Sequence, residues 1–543
     1  MDGPESQRIE TVEVEPLETT PLEGPARFER RPARRLPLLG ILIALWVIVY
    51  ALDVWGRDFW TENEARYALG ARSVLRGEWV VPRIAGPIRA DKPPLFFWYV
   101  AAFSAPLGGV SEWSVRLANL TVAFLALGAL YFFGWLHGTR WLGLLAAVMT
   151  ATTYEFWQQS TRPGVDMLLT ALLAVAWVAL YILLTRGFSW WRWSVLWGAL
   201  GLAFLTKGPL AFILVGLSAF AFVLWQFGWP EGGRRLLALR PVPGVAIACT
   251  PFVLWALLVL LFEGFRPLWD TVIRQNVIRF VDAFDHEKGW YYYLYELPIA
   301  TLPWSLLLPL VVLDWKRTWR ERTEDEKRPL AFALSIVATT VLFLSFSSSK
   351  RDYYLLPILP WFALVLGASL WHYVCETAPA RKVAPEECGD WAFVARLRAL
   401  RLGQAVLAVF GATVLGMVIY SGIVSHLLES RKSYRPMAKA IDETVSPGER
   451  LVFIDDRNLQ LYFYLQSPFD LADDTPEGLA ALRAIVDEGQ GVNMVIDAGD
   501  LKFLSALRRP LYYEKTITAH DGDQFFVVTD VARPGLQRLT FGS

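Results

Sequence analysis

The chain has 543 residues, of which 54% are hydrophobic and only 19% charged, with a formal net charge of +0 at pH 7. A mean hydropathy of +0.35, concentrated in long apolar runs, excludes a soluble protein with an ordinary buried core. The balanced charge gives no field that would draw nucleic acid, and Cys249, Cys375 and Cys388 lack the spacing of a metal site or a disulfide framework.

Residues 1–35 read as a disordered cytoplasmic tail, acidic and Pro-rich at first and then basic at Arg27, Arg30, Arg31, Arg34 and Arg35. Domain 36–427 then carries about eleven long spans, within a range of 11–13: 37–55, 115–136, 139–158, 164–185, 190–206, 208–228, 242–263, 297–314, 328–347, 354–373 and 403–426. Runs near twenty residues match a hydrocarbon core of roughly 30 Å. The later basic loops fall on the cytoplasmic side only if Pro93–Gly109 is re-entrant rather than a crossing. Segments 56–114, 158–164, 264–296 and 347–353 are then extracytoplasmic. From about Leu428 the pattern changes to short helices and strands, predicting an extracytoplasmic α/β domain over 428–543. The fold class is an all-α polytopic membrane protein with this C-terminal appendage.

Polar residues gather in the outer segments, in chain order. Glu62, Asn63, Glu64, Arg66 and Tyr67 open a surface helix that reaches Arg76. Carboxylates beside an arginine at a bilayer interface can bind a cation, orient a hydroxyl or act as a base, or simply form a local ion pair on a solvated helix. Asp91-Lys92-Pro93-Pro94 precedes an aromatic apolar segment, where Lys92 suits a phosphate at headgroup depth or a snorkelling anchor. Arg162 and Asp166, four apart, share one helix face in this reading. Lys207-Gly208-Pro209 occupies another outer turn. Arg279 and His286 lie in 264–296, and Asp91 with His286 is a two-ligand candidate for a divalent metal. Lys350, with Tyr354 close behind, sits against the positive-inside rule and so suits an outer anion. No nucleotide-binding loop is present, so an activated substrate must supply the energy of any reaction.

Taken together these motifs resemble the polyprenyl-phosphate-dependent membrane glycosyltransferases with the GT-C fold. Within them the chain is most similar to the 4-amino-4-deoxy-L-arabinose lipid A transferases, relatives of the protein O-mannosyltransferases. The resemblance rests on Asn63-Glu64-Ala65-Arg66-Tyr67-Ala68, Gly77-Glu78-Trp79, Asp91-Lys92-Pro93-Pro94, Arg162 with Asp166, and Lys207-Gly208-Pro209. It continues through Asn276 to Phe280 with His286 and Tyr292, then Lys350 with Tyr354 and Pro357. It implies an inverting transfer of a sugar from undecaprenyl phosphate to a lipid A-like or other envelope acceptor, on the periplasmic face of a bacterial inner membrane.

The resemblance also implies roles. Lys92 and Tyr354, with Arg66, contact the carrier phosphate, Asp91 and His286 are the metal ligands, and Asp166 orders the nearby basic groups. Asn63 stands where the family has its first catalytic aspartate, and an amide is no base. Either Glu62 or Glu64 substitutes, or the acceptor is already anionic, or the donor is bound without turnover. A transporter or flippase of lipid-linked sugars is the alternative, although no internal repeat supports it.

Overall fold

The structure, a computed structural model, describes residues 50–137, 140–278, 287–377 and 400–540, except 87, 321, 447, 455–457, 474, 489–490, 508 and 520–521, together with 40, 44 and 47. The tail expected over 1–35 lies outside the described residues. So do the side chains of Arg279 and His286.

In lipid every backbone polar group must be satisfied within its own segment, so the apolar runs fold as helices. Among the described residues seven helices are long and apolar enough to cross a membrane, or eight if Tyr292–Ala300 and Trp304–Arg317, bent by 104°, form one span. The protein is a multi-pass membrane protein, and among the described residues two expected spans, 139–158 and 190–206, do not form helices both long and apolar enough to cross. The run 139–158 breaks into Arg140–Ala151 and Tyr154–Thr161. Trp190–Lys207 opens on Trp-Trp-Arg-Trp and does not reach the apolarity of a span. Leu95–Leu107 covers 13 residues, about 20 Å at 1.5 Å per residue, and so cannot cross.

Val165–Arg186 is apolar around its whole circumference and takes the centre, with 94% of its apolar window buried. Pro241–Phe262 and Arg401–Glu429 are equally apolar but only 17% buried, which leaves them for lipid. Glu112–Leu136 and Arg140–Ala151 cross tightly. A Cβ at Gly134 would overlap the backbone of Gly143, and one at Gly143 would overlap that of Tyr131. The surface helix Glu62–Leu75 packs in the same way on the re-entrant helix Leu95–Ser104, with Gly70 against the ring of Phe97.

The C-terminal domain holds a six-stranded sheet. Its strands are β3 (Arg450–Ile454), β4 (Phe469–Ala472), β5 (Val492–Asp497), β6 (Tyr512–Thr518), β7 (Gln524–Thr529) and β8 (Gln537–Arg538); β1 (Arg83–Ala85) and β2 (Ile88–Arg89) form a hairpin just before the helix Leu95–Ser104. The order is β4-β3-β5-β7-β6-β8, with β4, β3 and β5 parallel and the rest antiparallel. Helices Leu459–Tyr464 and Pro476–Asp487 make the parallel crossovers. The domain docks on the loop helix: Arg72 Nη1 donates to Phe463 O at 2.7 Å and its guanidinium stacks 3.6 Å from the Phe463 ring.

The tight crossing yields a test. Gly134→Val should lower the thermal unfolding midpoint in detergent, because overpacking against backbone costs roughly 1–3 kcal/mol. Gly128→Ala in the same helix meets no atom within 4 Å and should leave the midpoint unchanged or raise it.

Candidate active site

The surface helix begins with a capping box in which Thr61 accepts from Glu64 N while the Glu64 carboxylate accepts from Thr61 N. That geometry turns Glu64 inward, and its side chain is fully buried. Arg57 Nη1 reaches its Oε1 at 2.9 Å and Arg116 Nη2 at 3.3 Å, and Trp60 N donates to Oε2 at 3.1 Å. Burial alone would raise the Glu64 pKa, but Arg57 and Arg116, with Arg162 beyond them, outweigh it and hold the carboxylate ionised below its ordinary range. Both Glu64 oxygens are thus engaged inside the protein, and the structure places this carboxylate in a buried ion-pair node rather than on the exposed side of the helix.

Glu62 and Asn63 stay exposed on the outward side of the same helix. Glu62 pairs with Arg66 one turn on, and Arg66 Nη1 also lies 3.7 Å from Asp91. Asp91 in turn lies 3.7 Å from Lys92 Nζ, which donates to Gln275 Oε1 at 3.1 Å. The hairpin β1–β2 and the Pro93-Pro94 entry to the re-entrant helix bring Asp91 and Lys92 beneath the surface helix. A third carboxylate–cation pair stands nearby, Asp166 with Lys207, and the Lys207 ammonium sits 4.3 Å from the centre of the Tyr354 ring. Tyr67 is buried between the two groups. Burial first, then the negative charges of Asp166 and Asp91, push its phenol well above the ordinary range, so it remains a neutral hydrogen-bond donor.

Other sequence-based roles change. Arg162 ends the helix Tyr154–Thr161 in an extended conformation, while Asp166 belongs to the helix that starts at Val165. The two do not share a helix face, and Asp166 pairs across the fold with Lys207 instead. Lys350 is buried and donates to the carbonyls of Lys288 at 3.0 Å and Ser347, pinning a bridge between Glu287 and Ser349. It is a strut and offers nothing to an anion. Arg279 and His286 lie outside the described residues. No three His, Cys, Asp or Glu converge among the described residues, and Asp91 already faces two cations, which a divalent ion would have to displace. His286, the second expected ligand, lies outside the described residues, and no step below uses a metal.

Sequence reasoning missed Arg57, Arg116 and Glu155. Arg116 could have been found, since an arginine set inside an apolar run at a span's start is rarely idle. Glu155 is buried beside Asp352 and Glu296; burial, then Asp352, push it up to about 7, while a hydrogen bond from Gln159 and the charge of Arg162 oppose the shift.

Two tests follow from this geometry. Glu64→Gln leaves Arg57 and Arg116 buried without their counter-charge and should destabilise the fold by roughly 3–5 kcal/mol in unfolding measurements; unchanged stability with lost turnover would support the base role instead. Glu155 holds its proton longer folded than unfolded, so wild-type stability should fall as pH rises from about 4.5 to 7. Glu155→Gln should flatten that slope, matching wild type at pH about 4 and exceeding it at pH about 8 in thermal midpoint.

With the site described, its relatives can be compared. The family described as dolichyl-phosphate-mannose-protein mannosyltransferase matches residues 91–260. The undecaprenyl phosphate-alpha-4-amino-4-deoxy-L-arabinose arabinosyl transferase of Pseudomonas paraeruginosa is 29% identical over 340 residues, covering 61% of this chain and 59% of that protein. The chain thus spans about three fifths of the length of such curated relatives. Among solved structures, ArnT from Cupriavidus metallidurans in the apo state superposes with a TM-score of 0.67 at 21% identity, covering 91% of this chain and 98% of that one. The same protein bound to undecaprenyl phosphate gives 0.63 at 20% identity, covering 91% and 97%. The chain therefore has the ArnT fold, and the resemblance that its motifs carry, to the GT-C aminoarabinose transferases, holds in both sequence and structure.

Proposed function

We propose that this protein is a glycosyltransferase that moves a sugar from undecaprenyl, or another polyprenyl, phosphate to a lipid A-like or other envelope acceptor on the periplasmic face of a bacterial inner membrane. The observation that carries this reading is the cluster Arg66–Asp91–Lys92 with Asp166–Lys207 and Tyr354, assembled from five separate segments.

In the reaction an acceptor oxygen attacks the anomeric carbon while the bond from that carbon to the carrier phosphate oxygen breaks. The phosphate passes from a diester with one negative charge to a monoester bearing more. Arg66, Lys92 and Lys207 supply cations where that charge develops, and Tyr67, kept neutral, can donate a hydrogen bond. The carboxylates Asp91 and Asp166 hold these cations in place before the carrier arrives.

Each carboxylate at the site faces a cation: Glu62 and Asp91 face Arg66, Asp91 also faces Lys92, and Asp166 faces Lys207. With Glu64 buried and Asn63 an amide, the arrangement suits an acceptor that is already an anion, such as a phosphate, and Asn63 orients it by hydrogen bonding. Bacterial aminoarabinose transferases of this fold provide the precedent for the donor.

A vesicle assay with radiolabelled undecaprenyl-phosphate aminoarabinose and extracted envelope lipids tests the proposal. Lys92→Ala and Lys207→Ala should each reduce transfer by about 10²–10³-fold, the usual loss on removing one stabilising group from a transition state. Asn63→Asp should change the rate only a few-fold; a gain of tenfold or more would mean that the acceptor needs a base after all. Undiminished transfer by the Arg66→Ala/Lys92→Ala double variant would overturn the site.

A further inference from the structure

A second space lies on the other side of the Glu64 cluster. A cavity of about 430 Å³ is enclosed by the end of the first apolar run at Asp53 and Arg57, the helix Tyr154–Thr161, the bend at Leu302–Pro303, and the last span from Thr413 to Tyr420. This is within the ~300–1,000 Å³ range of small-molecule sites. Of the residues singled out from the sequence it contains only Arg162.

Two buried polar groups in its wall lack a hydrogen-bond partner among the described residues, and a third group, Arg162, stands half-buried beside them. Asp53 is 3% exposed, and its Oδ1 accepts no hydrogen bond among the described residues, with Arg57 Nε 3.6 Å away. Trp157 is 7% exposed and its indole N–H donates to nothing described. The Arg162 guanidinium makes no hydrogen bond or ion pair with a described residue. An unsatisfied buried group costs roughly 1–3 kcal/mol, so two of them around one cavity, with a half-buried guanidinium beside them, mark a place that a ligand completes.

The chemistry of the set selects the ligand. Asp53 needs a donor, while Trp157 and Arg162 need acceptors, and the rings of Trp60, Tyr154 and Tyr420 supply flat apolar walls. A lipid tail satisfies none of the three polar groups, and a simple anion is repelled by Asp53. A sugar ring presents hydroxyls that both donate and accept, and C–H faces that lie on aromatic rings. The wall from Thr413 to Tyr420 belongs to the sparsely buried last span, whose helix passes into a π-turn at Tyr420–Val424, so the cavity borders lipid.

We propose that this cavity binds the sugar ring of a membrane glycolipid entering laterally from the outer leaflet; on the transferase reading above, on which this identification rests, that glycolipid is the acceptor. Arg162 lies four residues before Asp166, so a ring seated here is delivered beside the carrier site.

The test uses the full chain in phosphatidylcholine vesicles with a diazirine-tagged glucosyl-diacylglycerol, and maps the label by mass spectrometry. Label should appear within 152–162 or 413–420. Trp157→Phe keeps the ring but removes the N–H, and should weaken labelling by about tenfold, the worth of one hydrogen bond. Gly416→Leu should abolish it by filling the cavity, since a Cβ there meets no atom within 4 Å. A tagged undecaprenyl phosphate should label wild type and Gly416→Leu alike, showing that the variant is folded. Glycolipid labelling that survives Gly416→Leu overturns the proposal, as does equal labelling of these segments by tagged phosphatidylglycerol, which carries no sugar. Labelling as expected without transfer in the vesicle assay would leave the sugar site standing and remove the transferase reading instead.

Discussion

The outer half of this protein is organised around one buried carboxylate. Glu64 joins three pieces of chain that are distant in sequence: the exit of the first apolar run through Arg57, the start of the surface helix through Thr61, and the start of Glu112–Leu136 through Arg116. Arg116 also donates to the carbonyls of Arg57 at 2.7 Å and Asp58 at 2.9 Å, tying down backbone that no helix satisfies. A carboxylate and two guanidiniums out of water are each expensive, and the arrangement persists only because every one is matched and hydrogen-bonded. With that node fixed, the helix Glu62–Leu75 has one rotational setting, and Glu62, Asn63, Arg66 and Tyr67 are aimed by it.

The C-terminal domain reinforces the same loop from outside. Arg435 Nη2 reaches Asp58 Oδ1 at 2.7 Å, Phe59 N donates to the Tyr464 hydroxyl at 2.7 Å, and Trp60 Nε1 donates to Glu429 at 3.0 Å. The exposed part of this clasp adds little energy in water. Its effect is geometric: residues 58–60 are held between the membrane domain and the appendage, so the start of the surface helix cannot swing away from the cations below it.

Much of this was legible in the sequence, and the gaps have physical causes. The short helices and strands expected after about Leu428 form an α/β domain, because periodicity and turn residues are local signals. β4 was missed, being four residues long behind Ser467-Pro468, and only its parallel partner β3 makes it a strand. In the membrane domain hydropathy located the apolar runs but not their breaks, so two expected spans proved to be a bent pair and a pair of short helices. At the site, the residue types were apparent from their position outside the runs, whereas their pairings were not. Asp166 finds Lys207 across 41 residues and Lys92 finds Gln275 across 183. The burial of Glu64 was missed because its neighbours in sequence are polar, yet it shares a helix face with Ala68 and Ala71, both buried. Small residues at that spacing were the sign that this face turns inward.

The same node divides the outer half into two chambers. On one side the cations of Arg66, Lys92 and Lys207 suit a phosphate carrier; on the other, aromatic rings and unpaired polar groups surround the cavity that holds Arg162. What can move is the last span. It is mostly lipid-exposed, contributes Thr413 to Tyr420 to the cavity and ends at Glu429, which grips residues 58–60. A shift of that helix would change the cavity and the loop together, while Asp166, on the central helix Val165–Arg186 and paired with Lys207, stayed where it is.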